Sequence, residues 1–134
     1  MADKIAKLKE IAEKAYAKAY SPYSNIKIGA AVLASSGKIY DGVNVENASF
    51  GATICAERTA LVKAVSEGET SIEAIAITGD LDDYAYPCGI CRQVLREFMA
   101  KDKKIFVSGK NKEWKQYELE DLLPDSFAYF EKNK

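Results

Sequence analysis

Ile26 to Val45 reads IKIGAAVLASSGKIYDGVNV, and this stretch decides the fold. Ile26 to Ala34 is apolar and rich in small residues, the pattern of a buried strand. Ser35-Ser36-Gly37 supplies a turn, and Lys38 to Val45 reads as a second strand, so the two predict a hairpin. Before it, Ile5, Leu8, Ile11, Ala12, Ala15 and Ala19 recur at helical spacing. Residues 3–19 therefore predict an amphipathic helix, ended by Ser21-Pro22. After it, Asn44 to Thr53 is polar and reads as a loop. Cys55 to Glu67 is helical by composition, with Gly68 as its stop. Ile72 to Thr78 alternates as a central strand does. Pro87 sits where a helix can begin, and Cys88 to Ala100 follows with Ile90, Val94, Leu95 and Phe98 available for one face. Lys104 to Ser108 predicts a strand, Trp114 to Tyr117 another, and Leu119 to Leu123 a short helix before Pro124. The order is that of a mixed α/β domain in which a hairpin comes first and helices supply the later crossovers.

The chain has 134 residues, which suits a single domain over 1–134. Its hydrophobic content of 48% excludes disorder as the dominant state. The 19 Lys and Arg nearly cancel the 20 Asp and Glu, for a net charge of -1. That balance argues against a nucleic-acid partner or an anionic membrane surface. No apolar run approaches the roughly 20 residues needed to span a bilayer. The N-terminus opens on a charged amphipathic pattern with no signal-peptide core, so a cytoplasmic protein is expected.

There is no histidine, which excludes Ser-His-Asp and Cys-His catalysis and any His-ligated metal. The three cysteines are Cys55, Cys88 and Cys91, an odd number that argues against a disulfide framework. They fall in Cys55-Ala56-Glu57 and in Pro87-Cys88-Gly89-Ile90-Cys91, each where a loop hands over to a predicted helix start. Unpaired N–H groups and the positive end of the helix dipole favour thiolate there. Two such starts brought together would set three thiolates around one point. Three soft anionic ligands with a vacant fourth position describe a catalytic zinc site, since a structural site closes with a fourth protein ligand. Two other readings stay open at this level. Cys88 and Cys91 fit a C-x-x-C thiol redox pair, although that leaves Cys55 and Glu57 without a role. The cysteines could also be inert core residues. Glu57 alone is an ordinary first-turn glutamate; what singles it out is its position two residues after a candidate ligand.

These motifs resemble the cytidine deaminase family, specifically its small free-nucleoside members with an all-cysteine zinc site. The resemblance runs through Ser21-Pro22-Tyr23-Ser24, Gly29-Ala30-Ala31, Asn44-Val45-Glu46-Asn47, Cys55-Ala56-Glu57-Arg58-Thr59-Ala60 and Lys63-Ala64-Val65-Ser66-Glu67-Gly68. It continues in Pro87-Cys88-Gly89-Ile90-Cys91-Arg92-Gln93-Val94 and Leu122-Leu123-Pro124-Asp125-Ser126-Phe127. It implies a three-layer α/β/α fold with a five-stranded mixed sheet, one Zn²⁺ per chain, and hydrolytic deamination of cytidine and deoxycytidine for pyrimidine salvage. A related aminopyrimidine nucleoside such as blasticidin S is the alternative substrate.

The resemblance also implies roles. Cys55, Cys88 and Cys91 would hold the zinc, and Glu57 would shuttle protons. Asn44 and Glu46 would bind the ribose, while Arg58 would offset thiolate charge. Phe50 and Phe127 match aromatic positions that line a neighbouring subunit's site in a homotetramer; from pattern alone both would sit in the core. Ile26 stands where the family usually has a phenylalanine against the pyrimidine. It keeps an apolar wall but loses a ring contact worth about 0.5–1.5 kcal/mol. Ala128-Tyr129-Phe130 adds two aromatics after Phe127 that could compensate for that loss or enlarge the pocket.

Overall fold

The structure is a computed structural model that describes residues 2–128. Five strands form one sheet: β1 (Ile28–Ala34), β2 (Ile39–Val43), β3 (Ile72–Gly79), β4 (Lys104–Val107) and β5 (Lys115–Glu118). Their spatial order is β2-β1-β3-β4-β5. Only the β3–β4 pair is parallel; the others are antiparallel. The last strand confirms the reading of residues 114–117 and completes the five.

Helices α1 (Ala2–Ala15), α2 (Ala56–Ser66), α3 (Gly89–Phe98) and the short α4 (Leu119–Leu122) sit on the two faces. Alternation along β1 explains the layering, because successive side chains point to opposite faces. Ala31 and Leu33 join Leu8 and Ala12 of α1, together with Ala74, Ala76 and Phe106. Ala30, Val32 and Ala34 join Ala60, Leu61 and Ala64 of α2, Leu95 of α3, and Ile75, Ile77, Ile105 and Val107. A strand covered on both sides has no polar face to show, hence its continuous apolar run.

Small residues on this hairpin set how closely the helices approach. A methyl group at Gly29 would run into the backbone of Ala12 and Tyr16 behind it, and one at Gly42 into the backbone of Ala56 and Ala60. The first glycine seats the end of α1, the second seats the first turns of α2.

Several boundaries differ from the pattern. The first helix gives way after Ala15 to a 3-10 turn, Tyr16–Lys18, and Ala19 is extended. β1 begins at Ile28 rather than Ile26, because Asn25 adopts a left-handed conformation (φ 62°) and the chain is still turning into the sheet. The loop after β2 contains a 3-10 turn, Phe50–Ala52. In α3, Ile90 does not belong to the packed face: it is exposed, and the buried positions are Cys91, Leu95 and Arg96, with Met99 just beyond the helix. A three-residue step from the N-cap and then a four-residue step carry that stripe from Cys88 through Cys91 to Leu95, leaving Ile90 outside it.

The register brings the functional segments to one end of the sheet. Ile28 opposes Gly79, and Gly29 opposes Val43. The segment entering β1, the loop leaving β2 and the loop leaving β3 therefore converge. The last two lead directly into α2 and α3.

Candidate active site

Cys55 is the N-cap of α2 and Cys88 the N-cap of α3, both in extended conformation. Each helix thus aims its free N–H groups at its own cysteine, and the Cys91 amide donates to the Cys88 Sγ at 3.4 Å. Cys91 follows in the first turn of α3. All three Sγ atoms lie within 4.8 Å of one another, and the Cys55–Cys88 separation is 3.7 Å. Tetrahedral Zn–S bonds of about 2.3 Å require sulfurs about 3.8 Å apart, so this pair is already at ligand spacing. The donor set fits a zinc ion with three protein ligands.

The electrostatics suit a cluster of thiolates. The Arg58 Nη2 lies 3.8 Å from the Cys55 Sγ and 3.3 Å from the Thr53 carbonyl oxygen, to which it donates. Among the described residues, its Nε is buried without a hydrogen-bond partner. Arg58 is thus directed at sulfur, not spent as a surface ion pair. Without metal, the Cys91 thiol and then the Arg58 guanidinium, both hydrogen-bonding to Cys55, lower the Cys55 thiol to about 5. Cys91 is pushed up, by its hydrogen bond to Cys55 and by burial. Zinc would replace this shared-proton arrangement, since a coordinated thiol is held as thiolate.

Glu57 is 4% exposed in the first turn of α2. Burial raises its carboxyl to about 7, and negative charge on Cys55 pushes the same way. It lines a cavity of about 400 Å³ together with Cys55 and Cys88. Asn44, Glu46 and Ile26 line the same cavity, so the structure gathers six of the ten residues singled out from sequence into one lining; Cys91 and Arg58 stand just behind it.

Asn44 and Glu46 do more than pattern alone indicated. The Asn44 amide donates to the Ile26 carbonyl (2.8 Å), and its Oδ1 accepts from the Ile28 amide (2.9 Å). Glu46 accepts from the Tyr23 and Ser24 amides, each at 3.0 Å, and from the Ser24 hydroxyl. The Ser24 hydroxyl, and next the backbone amides, hold the Glu46 carboxyl below its ordinary value. The pair binds the entry segment 23–28 to the loop after β2, so Ile26, 45% exposed, presents its side chain at the cavity.

Phe50 and Phe127 depart from the core placement that pattern alone favours: they are 74% and 60% exposed. Neither lines the cavity. Phe50 meets Tyr23 edge-on at 5.8 Å, and the Phe127 carbonyl accepts from Gln93. Ala128 is buried, whereas the expectation for Tyr129 and Phe130 lies outside the described residues. Sequence reading missed Tyr84, Ala85 and Tyr86 in the cavity wall. Their only signal was position: they immediately precede Pro87-Cys88.

A mixed five-stranded sheet with three sulfurs gathered at two helix N-termini defines a zinc-dependent deaminase fold. Residues 2–108 match the family described as the cytidine and deoxycytidylate deaminase zinc-binding region, and the chain belongs to that family. Zinc is accordingly its cofactor, and the three-cysteine group is the one that fits it. The chain is 44% identical over 110 residues to the cytidine deaminase of Halalkalibacterium halodurans, covering 82% of this chain and 83% of that one. To the cytidine deaminase of Sporosarcina psychrophila it is 40% identical over 124 residues, 92% of this chain and 91% of the other. The crystal structure of cytidine deaminase from Burkholderia pseudomallei superposes with a TM-score of 0.87 at 42% identity, covering 91% and 98% of the two chains. Among the described residues, no helix is long and apolar enough to cross a membrane.

Proposed function

We propose that this protein catalyses the hydrolytic deamination of cytidine and deoxycytidine to uridine and deoxyuridine, releasing ammonia, as a salvage enzyme of the cytoplasm. The observation that carries this reading is one cavity lined by Cys55, Cys88, the buried carboxyl group of Glu57 and the polar pair Asn44 and Glu46. Zinc held by Cys55, Cys88 and Cys91 would supply activation of a water near neutral pH. The Glu57 carboxylate accepts a proton from that water and delivers it to the ring N3, while the oxygen adds at C4. The remaining hydroxyl proton passes through the same carboxyl group to the exocyclic amine. The C4–N bond then breaks, ammonia leaves, and C4 keeps the oxygen as a carbonyl. A single buried carboxyl group that twice takes and twice gives a proton completes the balance. Arg58 offsets negative charge on Cys55 and so keeps the sulfur cluster from opposing water activation.

Asn44 and Glu46 are suited to the sugar hydroxyls: an amide donor with one hydrogen still to give and a carboxylate with lone pairs to spare. The same carboxylate would repel a phosphate, so free nucleosides are the substrates. We further infer a homotetramer in which Phe50 and Phe127 reach a neighbouring chain's site. Support comes from their exposure and from their absence in their own chain's cavity lining.

The test is ammonia release by zinc-loaded protein from cytidine, deoxycytidine, cytosine, dCMP, adenosine and blasticidin S. Cytidine and deoxycytidine should dominate. Turnover of blasticidin S but not of cytidine would reassign the substrate, and equal kcat/KM for cytidine and cytosine would remove the ribose role. For the assembly, light scattering should report about four times the 14.8 kDa chain mass. Mixing Glu57→Gln and Phe127→Ala chains under subunit exchange should restore part of the activity, and no recovery after proven exchange would exclude shared sites.

A further inference from the structure

Ile26, Ile28, Ile54, Ile77 and Leu81 give the cavity an aliphatic wall. Among the described residues that line it, the aromatic ones are Tyr84 and Tyr86. Their rings belong to a chain of three that runs from the loop before Cys88 to the edge strand β5. Tyr84 and Tyr86 have centroids 6.1 Å apart, and Tyr86 meets Tyr117 edge-on at 5.9 Å. The Lys115 ammonium lies 4.4 Å from the Tyr84 ring centroid, so that ring already has a partner. Tyr86 is 39% exposed and its hydroxyl is 3.1 Å from that of Tyr117. A tyrosine in a loop would ordinarily sample several rotamers. Here an edge contact and a hydroxyl pair on a sheet residue restrain both ends of the ring.

Resting on the deaminase reading, we propose that Tyr86 is a substrate-specificity residue whose ring forms the aromatic wall against the bound nucleoside, and that Tyr117 is the positioning residue that fixes it. A planar, π-faced pyrimidine gains more from an oriented ring than from aliphatic groups, and an edge-to-face or offset arrangement requires that ring to be held. One O–H is used between the two phenols, so the hydroxyl pair tethers the ring. The hydrogen bond to Tyr117 pushes the Tyr86 phenol up to about 12. Ring position also explains why strand β5, remote from the cysteines in sequence, bears on the site: it supplies the anchor.

The experiment compares steady-state cytidine kinetics and zinc content of the zinc-loaded protein with those of Tyr86→Leu, Tyr86→Phe, Tyr117→Phe and the Tyr86→Phe/Tyr117→Phe pair. Loss of the ring in Tyr86→Leu should raise KM roughly 3- to 10-fold with kcat changed much less, because it removes binding shared by ground and transition states. The two single phenylalanine variants keep the ring and lose only its tether. Each should raise KM about 2-fold, and the double variant no further, the non-additivity expected of one shared bond. Zinc should stay at one per chain throughout. Calorimetric binding of uridine should weaken in the same order, which reads the contact without turnover. An unchanged KM and uridine affinity in Tyr86→Leu would overturn the proposal, as would independent effects of the two phenylalanine changes. Should Tyr86→Leu fail to fold, the phenylalanine variants decide alone. A parent protein that does not deaminate cytidine defeats the functional reading instead, a separate outcome.

Discussion

The sulfur corner and the wall of the same cavity lined by Asn44 and Glu46 are built by opposite means. Cys55, Glu57, Cys88 and Cys91 stand at the first turns of two helices packed on the sheet, where Ala56, Ala60 and Leu95 are buried. The opposite segments, 20–27 and 44–54, lie outside the strands. Isolated bridges join them, Tyr20 with Val45 and Val45 with Ile54, reinforced by the side chains of Asn44 and Glu46. In the proposed function, the residues assigned to chemistry stand on regular structure, and those assigned to recognition stand on loops stitched together with polar side chains.

The contrast breaks most severely at a ligand. Cys91→Ala should lose zinc and all measurable turnover together, with a fall in Tm, because metal binding is coupled to folding of both helix starts. Metal analysis beside the ammonia assay checks it; full activity with less than stoichiometric zinc would deny the cluster its role. Glu57→Gln separates chemistry from architecture. It should keep one zinc per chain and its Tm while kcat falls about 10⁴-fold, at the top of the range for general acid–base groups because one carboxyl group serves several transfers.

Asn44→Ala acts on the loop side. It removes an acceptor for the Ile28 amide and a donor for the Ile26 carbonyl, and should destabilise by about 1–3 kcal/mol. KM for cytidine should rise while zinc is retained, measured by urea unfolding and kinetics on the same preparation. Retention of KM would mean that the segment 23–28 is held without it. The two close-approach glycines sharpen the comparison further. Gly29→Ala and Gly42→Ala each force a helix off the sheet, costing about 1–3 kcal/mol. Only Gly42→Ala lifts the turn that carries Cys55 and Glu57, so it alone should lower kcat. Equal losses of kcat in the two would show that the sulfur corner has no privileged dependence on α2.

The smallest effect belongs to the surface pair Lys63–Asp41, at 2.7 Å on α2 and β2. The hydrogen bond from Lys63 holds the Asp41 carboxyl below its ordinary 3.8. A lowered carboxylate stabilises the fold above that value and loses its contribution as pH falls through about 4 and below. Partial solvent exposure limits the gain, so Lys63→Met should cost only about 0.2–1 kcal/mol at pH 7 and less at pH 3. Denaturation curves at the two pH values check the sign.

The element order, the hairpin and the two helix starts follow from local sequence, and so does the choice of Cys55, Glu57, Cys88 and Cys91 as candidate residues for the proposed chemistry. These depend on local rules: a continuous apolar run of small residues along 28–34, a cysteine at each N-cap, and the absence of histidine. Periodicity does not say which side of α3 faces the core, because an apolar residue one step off the buried stripe, such as Ile90, looks the same in sequence as one on it. Nor could spacing show that the amide of Asn44 and the carboxylate of Glu46 are already engaged with residues 23–28, since those bonds join segments about twenty positions apart. Only the tertiary structure decided that Tyr84 and Tyr86 reach the cavity and that Phe50 and Phe127 do not. Burial and contact across a sheet depend on strand order and register, and here β3 lies beside β1 rather than β2, a pairing that no local pattern encodes.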